Sequence, residues 1–446
     1  QYPITHRYIP AEANTPLPLQ MARLIKKAFL DNTSGDILAF FPGTGEINKA
    51  LSLLAEENLP AMLMPLYGDL PFHKQQEAIM PHPQGMRKII LSTSIAETSL
   101  TIEGITIVVD SGYARVPRFD PRSGLTRLET VRITKDAADQ RAGRAGRLSA
   151  GICYRLWNEN TNHHLLPHRT PEIAEADLAP LILELSQWGV RQVHELQWLT
   201  LPPAGAVSQA KELLQTLGAI DESGNITHEG KALLKLPTHP RLAHMLHRAQ
   251  PHELALATDI AALLEERDPL QKEVGADLCL RIDALHKWRR GERTIADRYV
   301  LERVDKLAAA WRKIFNISAD NDTAADHVAG KLLSAVYPER IAHQVDAGGE
   351  RYKLSNGRMA RLPQHDVLAH AKWIAVAHLD AGSGEGKVFL AAPVHESDLL
   401  PLSREYENIV WDDVRGMVAG SLETRVGNLL LHSKPLTHIA DEKRIA

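Results

Sequence analysis

The 446 residues suffice for several domains, and a content of 44% hydrophobic and 24% charged residues is that of ordinary soluble globular protein. A formal net charge of −4 excludes a non-specific basic coat for nucleic acid, so any such binding has to come from a local path of donors. No apolar run is long enough to span a bilayer, no signal peptide opens the sequence, and the only cysteines, Cys153 and Cys279, are too far apart to suggest a disulfide framework. A reducing cytoplasm is therefore expected, with no membrane association and no obligate oligomer.

In chain order, short apolar runs first alternate with helical patterns. Asp36–Phe41 reads as a buried strand, Glu46–Glu57 as an amphipathic helix, Ala61–Leu66 as a second strand and Lys74–Met80 as a helix. Lys88–Ser92 and Ile105–Asp110 are the third and fourth strands. Near-continuous apolar strands alternating with helices predict a parallel sheet covered on both faces, ending near Pro171. From Glu172 the strands vanish. Asp177–Trp188 reads as a helix with Asp177 as N-cap and Gly189 as stop. Pro203–Leu217 is a helix stopped by Gly218, Ile220–Ile226 a two-stranded wing with a tight turn, and Gly230–Leu236 a helical piece. Helices closed by a small hairpin predict a winged helix ending at Pro237. Thr238 to about Gly330 is helical throughout, a bundle. Beyond Pro338, the short alternating runs Arg340–Val345, Arg351–Leu354, Trp373–His378, Lys387–Ala392 and Asn428–His432 predict a small antiparallel barrel. The expected fold class is thus multidomain, α/β plus α plus β, over residues 1–171, 172–237, 238–330 and 331–446.

Two segments carry the chemistry. In Gln140 to Arg147, QRAGRAGR, three arginines at three-residue spacing lie on one side of a helix turn. Neighbouring guanidiniums repel one another unless an anion sits among them, and bidentate donors at fixed spacing suit a polyphosphate. A surface helix with basic residues is the alternative. Ser92 to Ile102, STSIAETSLTI, follows a buried strand where an open α/β sheet presents its ligand loops. Its hydroxyls and amides suit phosphate or ribose oxygens; an ordinary Ser/Thr-rich loop is the alternative. His163, His164 and His168 fall in a polar, proline-containing loop without metal-ligand spacing, and no metal site is expected. Ala381 to Val388 nearly spells a phosphate loop but lacks its first glycine and its final hydroxyl, so it reads as a hairpin turn. Gly43-Thr44-Gly45 is a weak dinucleotide match, with Asn48 at the third glycine position.

Together the two segments resemble motifs V and VI of superfamily-two helicases in the DEAH-box form. Phe40 to Ile47 resembles motif IV, Pro65 to Pro71 the motif after it, and Val109 to Tyr113 the strand end after motif V. Arg118 to Leu128 resembles the bacterial HrpB branch most closely. The resemblance implies a second RecA-like lobe, a winged helix, a ratchet-like helical bundle and an OB-like barrel. No GxxxxGK(S/T) and no DEAH or DExH sequence occurs. Those belong to the family's first RecA-like lobe, so the chain is expected to be a piece that starts after that lobe and stops before the long C-terminal region of that branch.

What the resemblance implies is an ATP-dependent RNA helicase, using ATP with Mg²⁺ held mainly by the other lobe. Arg144 and Arg147 would be arginine fingers and Gln140 would touch the γ-phosphate or the attacking water. Both arginines are expected to be exposed, so that neither supports folding. Ser99 and Glu103 would lie near the ribose, and Ile79 would offer an apolar face to the base. Gly43, Tyr67, Thr93 and Ser94 would hold the nucleic-acid backbone, with Tyr67 equally readable as core. A long hairpin over Arg115 to Thr134, turning at Asp120 to Gly124, would bring Arg118 and Arg122 to the opening duplex, or else brace neighbouring domains. In the barrel, Arg351, Tyr352, Lys353 and Arg358 are candidates for single-stranded nucleic acid. The expected partner is single-stranded nucleic acid, RNA favoured over DNA. A non-catalytic nucleic-acid-binding or regulatory module, or a DNA helicase, are the other readings.

Overall fold

The computed structural model describes residues 2–98, 102–120, 125–271, 274–322, 326–380, 384–412 and 417–436. It divides into two compact units, Gln1–Phe119 with Thr126–Ala176, and Asp120–Leu125 with Asp177–Ala446. Among the described residues no helix is long and apolar enough to cross a membrane.

The first unit is built on a six-stranded sheet of β1 (Ile4–Tyr8), β2 (Asp36–Phe40), β3 (Met62–Leu66), β4 (Lys88–Ser92), β5 (Ile105–Asp110) and β8 (Gly151–Arg155). The order is β1-β8-β5-β2-β4-β3, and every pairing is parallel. The helices α1 (Leu17–Asp31), α2 (Thr44–Glu56), α3 (Phe72–Ile79) and α4 (Lys135–Ala142) stand between strands, and α5 (Glu159–His163) follows β8. Successive strand residues point to opposite faces, and both faces are covered. Ile37 and Ala39 join Met21, Ile25, Phe29 and Ile47 in one core. Leu38 and Phe40 join Ile90, Val108, Ala142 and Ala145 in the other. This double burial is why the central strands read as continuous apolar runs. A two-stranded hairpin, β6 (Tyr113–Asp120) and β7 (Leu125–Arg132), leaves the sheet after β5. The rest of its expected turn, including Arg122, lies outside the described residues. The unit runs on to Ala176, beyond the expected end near Pro171.

The second unit starts with α6 (Ala179–Gln187), α7 (Ala204–Thr216) and α8 (His228–Leu233). The N-cap of α6 is Leu178 and not the expected Asp177; Asp177 stands one residue earlier, where its Oδ1 accepts from the Ala179 amide at 2.9 Å. Gly189 ends the helix at φ +83°, a conformation that favours glycine. The expected wing shrinks to a single bridge, Ile220 with Ile226. Its turn is held by the Asp221 carboxylate, which accepts from the amide and side-chain nitrogen of Asn225, so the segment is too short to form two full strands. Then come α9 (Pro240–Arg248), α10 (Leu254–Glu265), α11 (Leu278–Arg289), α12 (Arg298–Phe315) and α13 (Asp326–Val336).

Gly330 is not the boundary it was expected to be. It lies inside α13, where a Cβ would stand 1.9 Å from the Pro393 carbonyl oxygen. The glycine lets the helix touch a strand, and the bundle continues to Val336 because Leu332, Leu333 and Val336 remain buried. The strands β9 (Ile341–Gln344), β10 (Arg351–Leu354), β11 (Met359–Arg361), β12 (Trp373–Leu379) and β13 (Gly386–Pro393) close a barrel in the order β10-β11-β13-β12-β9. It is not wholly antiparallel, since β11 and β13 run parallel. After the short α14 (Glu396–Leu399) comes a separate antiparallel sheet, β14 (Arg404–Asp412), β15 (Met417–Val426) and β16 (Leu429–Pro435). The Asn428–His432 run, expected in the barrel, falls in this sheet. It pairs there with β15, whose length gives it a complete partner.

The bundle is tied together by a buried charge. Asp259 on α10 is fully buried and accepts from His286 and Arg289 on α11 and from Arg312 on α12. Burial raises its carboxyl pKa, and the bonds from His286 and Arg289 more than offset this, so the group sits below the ordinary carboxylate range. Replacing Asp259 by alanine strands these cations out of water and should destabilise the second unit by about 3–5 kcal/mol. A depressed pKa stabilises the fold above the unfolded value. The contribution of Asp259 should therefore be complete above about pH 4 and fade as the pH falls through the lowered pKa. Urea unfolding of wild type and Asp259→Ala across acid pH checks both statements: the two should converge at low pH.

Candidate functional site

The three arginines of the second motif are not equivalent. Arg141 is fully buried. Its Nε donates to Glu97 at 3.1 Å, and Nη1 donates to Asp110 at 2.9 Å and to the Tyr113 carbonyl at 3.2 Å. Both carboxylates are themselves buried, so Arg141 is a structural cation and not a phosphate donor. Arg144 is buried as well, against the expectation that it is exposed; 6% of its surface is accessible. Its Nε donates to the Glu97 carbonyl oxygen at 3.0 Å, and a second guanidinium nitrogen donates to the same oxygen. Burial and the neighbouring charge of Arg147 push the Arg144 pKa down from its ordinary value. Arg147 and Gln140 are exposed.

The turn after α4 lies at the N-terminal edge of the sheet. The Gly146 carbonyl accepts from the amide of Tyr2, just before β1. At Gly151, the first residue of β8, a Cβ would stand 2.3 Å from the Ala145 oxygen. From this turn Arg144 reaches back along the sheet face to Glu97. Glu103 is exposed in the tight turn that precedes β5 at the same edge. Ile79 ends α3, half-buried against the core of the same face. Lys88 anchors that helix end by donating to the carbonyls of Ala78 and Met80 from the first residue of β4. The backbone of Ile79, Glu103, Arg144 and Arg147 thus lies at one edge, across the order β4-β2-β5-β8, while the Arg144 guanidinium itself extends along the sheet face to the Glu97 carbonyl. Ser99 lies outside the described residues.

The other candidates gather at the opposite, C-terminal edge. Gly43 follows β2 and caps α2; a Cβ there would meet Arg115 Nη1 at 2.6 Å. Arg115 pairs with Glu46 at 3.1 Å. Sequence reasoning did not single out Arg115, which lies against Gly43, the N-cap of α2. The Thr93 amide donates to Leu66, and Ser94 is exposed beside it. Tyr67 packs half-buried on the first core. Arg118 is engaged by Glu175 at 2.8 Å and Glu129 at 3.1 Å, and the Glu175 hydrogen bond raises its pKa. Arg118 is thus held by two carboxylates of its own unit.

Of the four barrel candidates, one is placed otherwise. Tyr352 is fully buried, its hydroxyl within hydrogen-bond distance of the Leu368 and Ala371 carbonyl oxygens, so it cannot stack on a base; its alternation with exposed neighbours in β10 turns it inward. Arg351 is paired with Glu385, and Arg358 is half-buried. Lys353 is exposed. Cys153 is buried, which pushes its thiol up to about 12 and removes it as a nucleophile.

The two outer arginines should behave differently from Arg141 in stability. Arg141→Ala leaves Glu97 and Asp110 buried without their cation and should cost about 3–5 kcal/mol. Arg144→Ala should cost about 1–3 kcal/mol through its buried hydrogen bonds, and Arg147→Ala less than about 0.5 kcal/mol. Urea midpoints of the three variants test this ranking; equal losses would mean that Arg147 is structural too.

A model of the helicase conserved C-terminal domain matches residues 20–149, and one of the helicase associated domain (HA2), winged-helix, matches residues 212–238. The chain is 34% identical over 451 residues to the ATP-dependent RNA helicase HrpB of Escherichia coli K12, covering 99% of this chain and 53% of that protein. It is 35% identical over 252 residues to the ATP-dependent RNA helicase HrpA of Borreliella burgdorferi, covering 56% of this chain and 31% of that protein. A crystal structure of the E. coli DExH-box NTPase HrpB superposes with a TM-score of 0.82 at 35% identity, covering 100% of this chain and 53% of that one. A crystal structure of the Escherichia coli DEAH/RHA helicase HrpB gives 0.85 at 33% identity, covering 99% of this chain and 54% of that one. The chain therefore spans about half the length of the HrpB proteins it matches. With the motifs in order and the resemblance running along its whole length, the chain belongs to the DEAH-box helicase family, in its HrpB-like branch.

Proposed function

We propose that this chain is the second motor lobe and accessory region of an ATP-dependent RNA helicase. The observation that carries the proposal is the separation of the two candidate sets to opposite edges of one sheet. Arg144 and Arg147, with Gln140 on the preceding helix, Glu103 and Ile79, form the nucleotide side. Gly43, Thr93, Ser94 and Arg115, with Tyr67 beside them, form the nucleic-acid side. In this reading residues 1–171 act as a RecA-like lobe, 172–237 as a winged helix, 238–330 as a ratchet-like bundle and 331–446 as an OB-like barrel, with the bundle extended to Val336. The phosphate loop and the acidic Mg²⁺ ligands come from sequence beyond these 446 residues. ATP bound between the two lobes meets Arg147, and Arg144 behind it, as positive charge develops its effect on the transferring phosphoryl group. Gln140 orients the γ-phosphate or the attacking water. RNA follows from the names of the relatives, and a cytoplasmic setting from the same reading.

Arg147 gives the cleaner test, because its side chain is exposed where those of Arg141 and Arg144 are buried. In the full-length protein, Arg147→Ala should lower kcat for RNA-stimulated ATP hydrolysis by at least about a hundredfold, since a positioned arginine finger contributes on the order of 10³–10⁵. Arg147→Lys should not restore it, lacking the planar fork. The 446-residue chain alone should not turn over ATP. Near-normal stimulated hydrolysis in Arg147→Ala would reassign that residue. Stimulation by single-stranded DNA but not by RNA of the same sequence would overturn the substrate.

A further inference from the structure

His327 lies in the first turn of α13, His395 just before α14 and Asp398 within it. One ligand atom from each lies within 4.8 Å of the others. The two imidazoles stack with centroids 4.1 Å apart and planes 8° apart. The backbone holds this cluster together. Gly330, one turn along α13 from His327, is where the helix meets the Pro393 carbonyl, so the two histidine-bearing segments are clamped in contact. The Asp398 amide donates to the His395 carbonyl at 3.0 Å and fixes the turn between them.

A second observation points to a ligand. Asp398 Oδ2 is buried and has no hydrogen-bond partner. A carboxylate oxygen taken out of water without a partner is costly, and a cation removes that cost. Two imidazoles and one carboxylate are the ligand set of a borderline divalent metal, with a fourth position for water.

We propose that His327, His395 and Asp398 bind one divalent transition-metal ion, zinc by ligand chemistry, which clasps α13 to the junction between β13 and α14. Tetrahedral bonds of about 2.0–2.1 Å place ligand atoms about 3.4 Å apart, so the side chains close by about 1 Å. A metal lies in the plane of each ring that holds it, so the stack opens as it binds. The His395 ring is exposed and can turn to do this. The site was not legible in the sequence, where His327 and His395 are far apart and lack a shared motif.

The test uses the 446-residue chain after chelator treatment, with Co²⁺ as a spectroscopic probe. One equivalent should give the intense visible bands of a tetrahedral site, one equivalent of Zn²⁺ should bleach them, and Zn²⁺ should raise the Tm. His327→Ala, His395→Ala and Asp398→Asn should each weaken Zn²⁺ binding at least about a hundredfold, beyond the 10–100-fold typical of losing a ligand's outer partner, and should lose the Tm gain. His168→Ala, on an exposed loop, should change nothing. Circular dichroism of the metal-free variants separates lost ligation from lost folding, and Asp398→Asn preserves shape. Absence of a saturable one-to-one site, or binding that survives in His327→Ala and Asp398→Asn, overturns the proposal.

Discussion

Arg141 sits wholly out of water between two buried carboxylates, Glu97 and Asp110. Taking one cation and two anions from solvent is expensive, and only close geometry with further hydrogen bonds offsets the expense. The arrangement supplies them. Asp110 also accepts from the Gly112 amide, Arg141 also reaches the Tyr113 carbonyl, and Arg169 pairs with Glu97. Three separate pieces of chain are fixed by one guanidinium: the segment after β4, the end of β5 with the root of the hairpin, and the last turn of α4. The position of Arg144 follows from this, because its own anchor is the carbonyl of the same Glu97. What looks in the sequence like three interchangeable arginines is a graded series, from a buried structural cation through a half-committed one to an exposed one.

The sheet of the first unit was legible because both of its faces are buried. Continuous apolar runs such as Ile37 to Phe40 and Ile105 to Val109 have no other home in a soluble protein. β1 was not legible: Thr5, His6 and Arg7 are exposed along an edge strand, and its partner β8 is mixed in character. The helices of the second unit were visible through their stops, with Gly189 and Gly218 at positive φ as the pattern requires, whereas the N-cap of α6 falls one residue past Asp177. The end of the bundle was less legible, since Gly330 lies inside α13 as a point of close backbone approach, and only the neighbouring strand shows that. β14 and β15 escaped notice because an open sheet with polar residues on both faces carries no clean alternation.

At the candidate site, residue type and spacing identified the arginines and the hydroxyl-rich loop, but not their burial. Burial depends on partners distant in sequence, and Glu97 and Asp110 announce themselves only weakly. A glutamate follows Ile95 and Ala96, and an aspartate ends an otherwise apolar strand. An acid in apolar company is a fair sign of a buried ion pair, and here both are partners of the same arginine. Tyr352 shows the converse. Flanked by Arg351 and Lys353 it resembles a surface aromatic, yet strand alternation turns it inward.

β4 and β5 run parallel, with β2 between them. A chain that joins parallel strands has to travel back to the edge where it started. The connection from Ser92 to Ile105 therefore crosses the sheet from one edge to the other, leaving the first beside Thr93 and Ser94 and arriving at the second beside Glu103. A single stretch of backbone thus visits both proposed binding edges, and on its way Glu97 holds Arg144. On that connection Glu97 is bonded to two arginines at once, through its carboxylate to Arg141 and through its carbonyl to Arg144.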